Sequence, residues 1–254
     1  MNTYPQGGDY TPGREARWKY GVEVAAQKIA QCGRGKKYTI LDIGCGDGSF
    51  LHMLNLQLSR EKISRDKFDY FGIDGDKGFK NIIEERGGNF IYGDIIRLEK
   101  LIGKMSFNLV VASEVIEHVD ETDTLITSIK RVLKPDGLIY LTTPNLAAWH
   151  SRIMLWCGYQ PLSTEVSNLR GDFGKGVLWK KYYDKPIHHL RIFTFKAMRE
   201  FVEFHDLKII KSFGGGYRWY DSLFFGNILR GLAPVIIMLL RNNQALPETD
   251  IEKI

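Results

Sequence analysis

Five side chains in two short stretches are of the types that move protons or bind cations. They are two glutamates and three histidines: Glu114, Glu117, His118, His188 and His189. A glutamate or histidine whose pKa lies near neutral can accept a proton from a hydroxyl group. If the first stretch is helical, its spacings of three and four residues would let Glu114 face Glu117 or His118. The candidate catalytic residues are therefore Glu117, His118, His188 and His189.

The same residue types also make a candidate metal site. A Glu-x-x-Glu-His pattern with a distant histidine supplies oxygen and imidazole ligands that suit Mg²⁺ or Mn²⁺. The alternative ligand set is Glu114, Glu117, His118 and His188, or His189 in place of His188. Against it stands the interpretation that these side chains shape a cleft or cap a helix and bind no metal, and the sequence leaves both open.

A glycine-rich turn predicts a ligand-binding loop. The apolar run 38–43 is followed by Gly44, Gly46 and Gly48, and then by a helical pattern. This order indicates a strand, a tight turn and the start of a helix. Alternate glycines allow the chain to turn sharply and leave no Cβ between the backbone and a ligand. The spacing G-x-G-x-G departs from the G-x-G-x-x-G fingerprint of dinucleotide sites.

Carboxylates around this turn indicate the charge of its ligand. Asp42 and Asp47 flank the glycines, and they would repel a pyrophosphate but tolerate a cation. S-Adenosylmethionine (SAM) fits, because it carries a sulfonium and an ammonium and has no phosphate. Asp74 ends the next apolar run, where a carboxylate can accept hydrogen bonds from both ribose hydroxyls. The alternative for Asp74 is a helix N-cap or an ordinary turn aspartate.

Several stretches, in the right order, resemble the motifs of class I SAM-dependent methyltransferases. They are residues 38–50, 71–74, 92–95, 107–119 and 131–138. The pattern is similar to type 11, 12 and 23 domains, among them the ubiquinone-biosynthesis and the sugar and lipid O-methyltransferases. The resemblance implies SAM as cofactor. The residues that it implies for cofactor binding are Asp42, Gly44, Gly46, Gly48, Asp74, Gly93, Asp94, Ser113 and Glu114.

The resemblance also implies the fold, a single methyltransferase domain over residues 1–254. The class would be α/β, with a Rossmann-like seven-stranded sheet in the order 3-2-1-4-5-7-6, strand 7 antiparallel, and helices on both faces. Residues 14–145 would form the SAM-binding core, and 146–190 an acceptor-binding insertion or lid after strand 5. Residues 191–254 would supply a C-terminal helix and strands 6 and 7.

Apolar periodicity predicts the elements that hold these residues. Helices are expected at 14–31, after the glycine turn, and at 123–133 and 195–204, the last capped by Thr194. Strands are expected at 38–43, 71–74, 89–95, 107–113, 138–143, 207–213 and 235–240, with a turn at 135–137. Residues 146–190 have no clean periodicity but many aromatics, which favours a binding segment over disorder. A purely structural subdomain is the alternative.

Composition narrows the class of protein. A chain of 254 residues with 44% hydrophobic residues suits one globular domain. The net charge of +5 is mild, so nucleic acid is disfavoured as a partner. Three scattered cysteines predict no disulfide framework, and the first 13 residues do not form a signal peptide. The expected compartment is the cytoplasm.

The expected function is methyl transfer from SAM to a small-molecule, glycan or lipid-linked acceptor, at oxygen. One alternative is metal-assisted RNA 2′-O-methylation, because the metal pattern also resembles the small-RNA methyltransferases. Another is a non-catalytic SAM-binding scaffold, against which the intact glycines and Asp74 count. The apolar residues 223–232 could lie on a bilayer surface and make the enzyme peripheral at a membrane. The run 232–240 is shorter than the ~20 residues of a spanning helix.

Overall fold

The structure, a computed structural model, describes residues 16–33, 35–216 and 229–243. Seven strands form one sheet in the order β3-β2-β1-β4-β5-β7-β6. In chain order they are Tyr38–Ile43 (β1), Phe68–Asp74 (β2), Asn89–Tyr92 (β3), Phe107–Ser113 (β4), Leu133–Pro144 (β5), Leu207–Gly215 (β6) and Val235–Asn242 (β7). Strand β7 is antiparallel to both of its neighbours, and the other pairs are parallel. The predicted fold class and strand order are confirmed.

Helices cover both faces of this sheet. One face packs against Ala16–Ala30 (α1), Ser49–Arg60 (α2) and Lys80–Glu85 (α3). The other face packs against Leu98–Ile102 (α4), Thr122–Val132 (α5) and Phe195–Phe204 (α8). Two short helices, Trp149–Trp156 (α6) and Val177–Lys180 (α7), lie between β5 and α8.

The sequence pattern explains why the core lies where it does. Strand β1 is buried on both faces, so Ile40 packs into one helix layer while Leu41 and Ile43 pack into the other. Helix α2 buries the four residues of its predicted apolar stripe: Phe50, Leu51, Leu54 and Leu58. Strand β1 and helix α2 therefore hold the glycine turn between two buried elements.

Several predicted elements differ from the structure; strand β2, for example, begins at Phe68 and not at residue 71. Strand β3 ends at Tyr92, because Asp94 accepts a hydrogen bond from the Ile96 N–H and caps a single 3₁₀ turn. Helix α6 was not expected within the irregular stretch. The turn predicted at 135–137 is instead a bulge within β5, which begins at Leu133. The strand pairing there shifts so that the extra residues loop out while the ladder continues.

Other predicted features agree closely or fall outside the described residues. Helix α8 begins where Thr194 accepts a hydrogen bond from the Ala197 N–H, as expected. Residues 14 and 15 of the first predicted helix lie outside the described part of the chain, as do 223–228 of the apolar stretch. No helix within the described ranges is long and apolar enough to cross a membrane.

Candidate active site

The glycine turn after β1 is built from three residues in left-handed conformation. Gly44, Gly46 and Gly48 have φ angles of 65°, 50° and 71°, which favour glycine. A Cβ on Gly44 would lie 2.7 Å from Val115, and one on Gly48 would lie 2.5 Å from Ile83. A Cβ on Gly46 would meet nothing within 4 Å. Packing therefore requires two of the glycines, whereas the third borders open space in which a ligand could lie.

Asp74 ends β2 and joins the neighbouring strand to this turn. One carboxylate oxygen accepts a hydrogen bond of 2.9 Å from the Gly46 N–H, and the other accepts one of 2.9 Å from the Asp76 N–H. Burial raises the pKa of Asp74, while these two N–H donors lower it. Each oxygen keeps a lone pair, so both could still accept from a ribose hydroxyl. Asp76 serves its own turn by accepting from the Gly78 N–H.

Asp42 lies in β1 just before the turn, and its carboxyl group is buried. It accepts a short hydrogen bond from the Tyr70 hydroxyl. Its pKa is raised to about 7, chiefly by burial and also by the charges of Asp74 and Asp47, while the hydrogen bond from Tyr70 acts in the opposite direction. Asp42 therefore supports the turn from within the sheet, and its direct role toward a cofactor stays a prediction.

Gly93 and Asp94 follow β3, next to Asp74. The Gly93 N–H donates to the Asp74 carbonyl at 3.1 Å, and a Cβ on Gly93 would lie 2.5 Å from Leu101. Asp94 is exposed, and its carboxylate caps the turn that follows. These two residues lie at the same edge of the sheet as the glycine turn, because β3 and β2 are parallel neighbours.

Ser113 is the last residue of β4, and Glu114 follows it. Both belong to a group of side chains linked by hydrogen bonds. The Thr142 hydroxyl donates to Glu114 at 3.0 Å and lies 2.8 Å from the Ser113 hydroxyl. Since Thr142 has one hydroxyl hydrogen, Ser113 must be the donor in the second bond. Glu114 has a positive φ of 57° and forms an ion pair of 3.4 Å with Arg17 of helix α1.

Glu117 lies in a 3₁₀ turn after β4 and is fully buried. One carboxyl oxygen accepts from the Thr143 hydroxyl at 2.9 Å, and the other has no hydrogen-bond partner among the described residues. Burial raises the pKa of Glu117 well above its usual value, and the charge of Glu114 raises it further. A buried oxygen without a partner is costly, so this atom is a candidate to contact a ligand.

His118 and His189 come together from distant parts of the chain. Their rings lie edge to face with centroids 4.8 Å apart. Each Nδ1 lies near a carbonyl, His118 at 3.1 Å from His188 and His189 at 2.8 Å from Ser163. A carbonyl can only accept, so each Nδ1 carries the hydrogen and each Nε2 keeps its lone pair.

Burial fixes the charge of both rings. Burial lowers the pKa of His118. The pKa of His189 is lowered to about 4, mainly by burial and to a smaller extent by His118 and Lys175. Both imidazoles are therefore neutral near pH 7, and both Nε2 atoms can accept a proton or bind a cation.

The structure brings together a different set from the predicted metal ligands. Glu117, His118 and His189 offer ligand atoms within 4.8 Å of one another. His188 is exposed and contributes its carbonyl to His118. Glu114 is bonded to Thr142 and Arg17 instead of joining the three.

Sequence reasoning missed several residues that hold this site. Arg17, Thr142 and Thr143 bind the two glutamates, and no motif marks them because their partners lie far along the chain. Glu165 accepts hydrogen bonds from the backbone N–H groups of Ile187 and His188. The only signal for Glu165 was its position in an aromatic-rich segment expected to bind the acceptor.

Comparisons with known proteins agree with this fold. Residues 15–211 match a family model described as a methyltransferase domain. The chain is 36% identical over 110 residues to the mitochondrial ubiquinone biosynthesis O-methyltransferase of Bos taurus, and the match covers 42% of this chain and 28% of that protein. The enzyme of the same name from Sinorhizobium fredii is 31% identical over 116 residues, covering 43% of this chain and 42% of its own. The chain thus spans less than half the length of these relatives.

A solved structure shares the fold over most of its length. The SAM-dependent methyltransferase from Clostridium acetobutylicum superposes with a TM-score of 0.56 at 13% identity, covering 89% of this chain and 92% of that one. At this identity the likeness concerns the fold alone. The family match extends over most of the chain, and the fold and glycine turn agree with it. The chain therefore belongs to the methyltransferase domain family and carries the fold of SAM-dependent methyltransferases.

Proposed function

We propose that this protein transfers the methyl group of SAM to a hydroxyl oxygen of a small-molecule acceptor. One observation carries the proposal. The glycine turn follows β1, and the cluster of Glu117, His118 and His189 lies just beyond the adjacent strand β4. Parallel α/β sheets bind ligands beyond the carboxyl ends of such strands. A methyl donor in the turn and an acceptor at the cluster would therefore be neighbours.

The reaction needs little from the protein beyond geometry and a proton acceptor. The acceptor oxygen attacks the methyl carbon in line with the sulfur, and the C–S bond breaks with its electron pair passing to sulfur. The hydroxyl proton passes to a base as the oxygen–carbon bond forms. The Nε2 atom of His118 or His189 is suited to this step, because burial keeps both rings neutral.

The cluster also fits a divalent cation. Two imidazole nitrogens and a carboxyl oxygen without a partner are suitable ligands for Mg²⁺ or Mn²⁺. Burial disfavours the charged form of Glu117, and a nearby cation would offset that penalty. When bound, the cation would supply Lewis-acid polarisation of the acceptor oxygen. Glu117, His118 and His189 would hold it.

The acceptor side of the site is assigned to residues 146–190. The backbone N–H groups of Leu190 and Arg191, where this segment ends, donate to the Glu117 carbonyl at 2.7 and 3.0 Å. Its exposed aromatics, among them Trp156 and Trp179, could cover a ring, a glycan or a lipid chain.

The three free cysteines suit a cytoplasmic enzyme, and contact with a membrane surface is part of the proposal for lipid-linked acceptors.

Isotope-labelled SAM tests the proposed reaction. The purified protein is incubated with methyl-labelled SAM and either a panel of dihydroxybenzoates or separated small-molecule, lipid and RNA fractions of a cell extract. We expect mass spectrometry to find the label on a hydroxyl oxygen of a small molecule or lipid. His118→Ala should lower turnover by roughly 100-fold or more, through loss of a base or ligand, and leave SAM binding unchanged.

His205→Ala is a matched control, because His205 closes helix α8 and bonds to Asp123 outside the cluster. It should leave turnover at the wild-type level. If the cluster holds a cation, EDTA should abolish turnover and Mg²⁺ or Mn²⁺ should restore it; full turnover in EDTA assigns the histidines to metal-free base catalysis. Label found on nitrogen or carbon, or only in RNA, contradicts the proposal.

A further inference from the structure

A lysine of the 146–190 segment is buried without a hydrogen-bonding partner. Lys175 is 2% exposed, and its Nζ forms no hydrogen bond with any described residue. The nitrogen lies 4.1 Å from the centre of the Tyr183 ring, which holds it in place by a cation–π contact. Lysines are almost never fully buried unless they are paired, so this one requires an explanation.

The carboxylates close enough to act on Lys175 already have other donors. Glu165 accepts from the N–H groups of Ile187 and His188. Asp172 is held by two hydrogen bonds from Arg170, at 3.0 and 2.7 Å. Neither forms an ion pair with Lys175. The ammonium is therefore left with a π face and without a bonded anion.

The position of Lys175 links it to the candidate active site. The Ser163 carbonyl accepts from His189, and Glu165 anchors the backbone at His188, so the stretch that carries these histidines is bound to residues 163–165 of the segment. Gln160 in turn donates its N–H to the carbonyl of Gly174, next to Lys175. Lys175 and His189 are therefore both held by residues 160–165 of the segment.

A buried ammonium without a bonded anion destabilises the folded chain. Burial lowers the pKa of Lys175, which reflects that cost, and a cation–π contact offsets only part of it. A site that keeps such a group gains when a ligand supplies the missing anion, because charge-assisted hydrogen bonds are strong in a dry environment. The same ammonium would discriminate against a neutral ligand.

We propose that Lys175 binds an anionic group of the acceptor, a carboxylate or a phosphate, beside His189. This inference rests on the proposed methyl transfer, since it names a property of the molecule that is methylated. It makes Lys175 a specificity-determining residue that holds the acceptor at a point away from the reacting hydroxyl.

Two simple anions test this site in the intact protein. Benzoate and inorganic phosphate are titrated separately while NMR follows the imidazole signals of His118 and His189. We expect at least one anion to bind wild-type protein, and the stronger probe distinguishes a carboxylate from a phosphate site. Lys175→Met should weaken that binding by about tenfold or more, whereas Lys175→Arg should retain most of it.

Lys180→Met is the matched control, because Lys180 is an exposed lysine of the same segment. It should bind the anion as wild type does. Thermal unfolding should show Lys175→Met to be at least as stable as wild type, since the change removes a buried charge. The idea is overturned if neither anion binds wild-type protein, or if Lys175→Met binds as tightly.

Titration of SAM into the same samples separates the two proposals. If SAM binds and the anions do not, the Lys175 proposal fails alone. If the anions bind through Lys175 but SAM does not bind, the methyl-transfer proposal fails instead. For any carboxylated acceptor that is methylated, Lys175→Met should raise KM for that acceptor and leave KM for its neutral amide analogue unchanged.

Discussion

At the scale of single residues, the cofactor end of the site concentrates negative charge in a small volume. Asp42, Asp47 and Asp74 surround one turn, and the charges of the other two both raise the pKa of Asp42. A ligand with a sulfonium and an ammonium would relieve this repulsion, whereas a pyrophosphate would add to it. The electrostatics of this turn therefore favour a cation on physical grounds alone.

Asp42 should make the stability of the ligand-free protein depend on pH. Its folded pKa of about 7 lies above the unfolded value of 3.8, so the folded state binds the extra proton between these limits. Stability contributed by this group is present below about pH 4 and is lost as pH rises to 7, by about 4 kcal/mol at most. Asp42→Asn should therefore be more stable than wild type at pH 8, and this advantage should vanish near pH 4.

Urea denaturation at several pH values measures this difference. Asp136→Asn is the matched control, because Asp136 is exposed in the bulge of β5. Its free energy of unfolding should follow that of wild type at every pH. A stability advantage of Asp42→Asn that stays constant from pH 4 to pH 8 would show that Asp42 does not titrate in this window.

Part of this site can be predicted from residue types, whereas the rest depends on the direction in which the side chains point. The glycines and Asp74 were predictable, because tight turns and strand ends restrict which residues can occur there. That His189 and not His188 joins the cluster could not be predicted. It depends on a left-handed φ of 58° at His188 and on a hydrogen bond between His189 and the distant Ser163 carbonyl. The burial of Lys175 likewise results from packing that local sequence does not encode.

At the scale of elements, hydrogen bonds within the 146–190 segment hold the end of it that carries His189. The Ser163 carbonyl and the Glu165 carboxylate bind residues 187–189 of the same segment. The Glu165 carboxylate accepts two backbone N–H groups, an arrangement like the capping of a helix start. This carboxylate therefore positions His189 through the backbone.

Removing the Glu165 carboxylate should weaken use of the acceptor without affecting SAM binding. Glu165→Ala leaves two N–H groups unpaired and should raise the acceptor KM and lower kcat, together by roughly tenfold to 100-fold in kcat/KM. SAM affinity should not change. Steady-state kinetics and calorimetry measure both, with Glu200→Ala on the exposed face of α8 as the control. Equal loss of SAM affinity would contradict an acceptor-side role.

Element positions were predictable from sequence where the strands are long and apolar. Strand β4 has the predicted bounds, because it is buried on both faces and reads as a continuous apolar run. The early end of β3 and the bulge in β5 were missed, since both depend on hydrogen bonds to neighbouring turns and strands. Helix α6 was missed because most of its side chains are not buried, so it lacks a clear apolar stripe.

At the scale of the whole molecule, the proposed SAM site and the proposed acceptor site lie next to each other along one edge of the sheet. The turn after β1 and the carboxylate after β2 would hold SAM, and the cluster after β4 would hold the acceptor hydroxyl. The segment that follows β5 returns across the Glu117 carbonyl. This division explains why the fold and cofactor follow from sequence pattern. The proposed acceptor side lies in an irregular segment, and only the structure reveals its contacts.

The central claim is that this turn and Asp74 bind SAM. Calorimetric titration of SAM tests this claim most directly. Wild-type protein should bind SAM, and Asp74→Ala should weaken binding roughly 10- to 150-fold, or about 1.5–3 kcal/mol, by removing charge-assisted hydrogen bonds. Gly46→Val should abolish binding, because the new side chain would occupy the open space at the turn. Gly103→Val, at another left-handed glycine with open space around it, should bind SAM as wild type does. Unchanged SAM affinity in both Asp74→Ala and Gly46→Val would contradict the account.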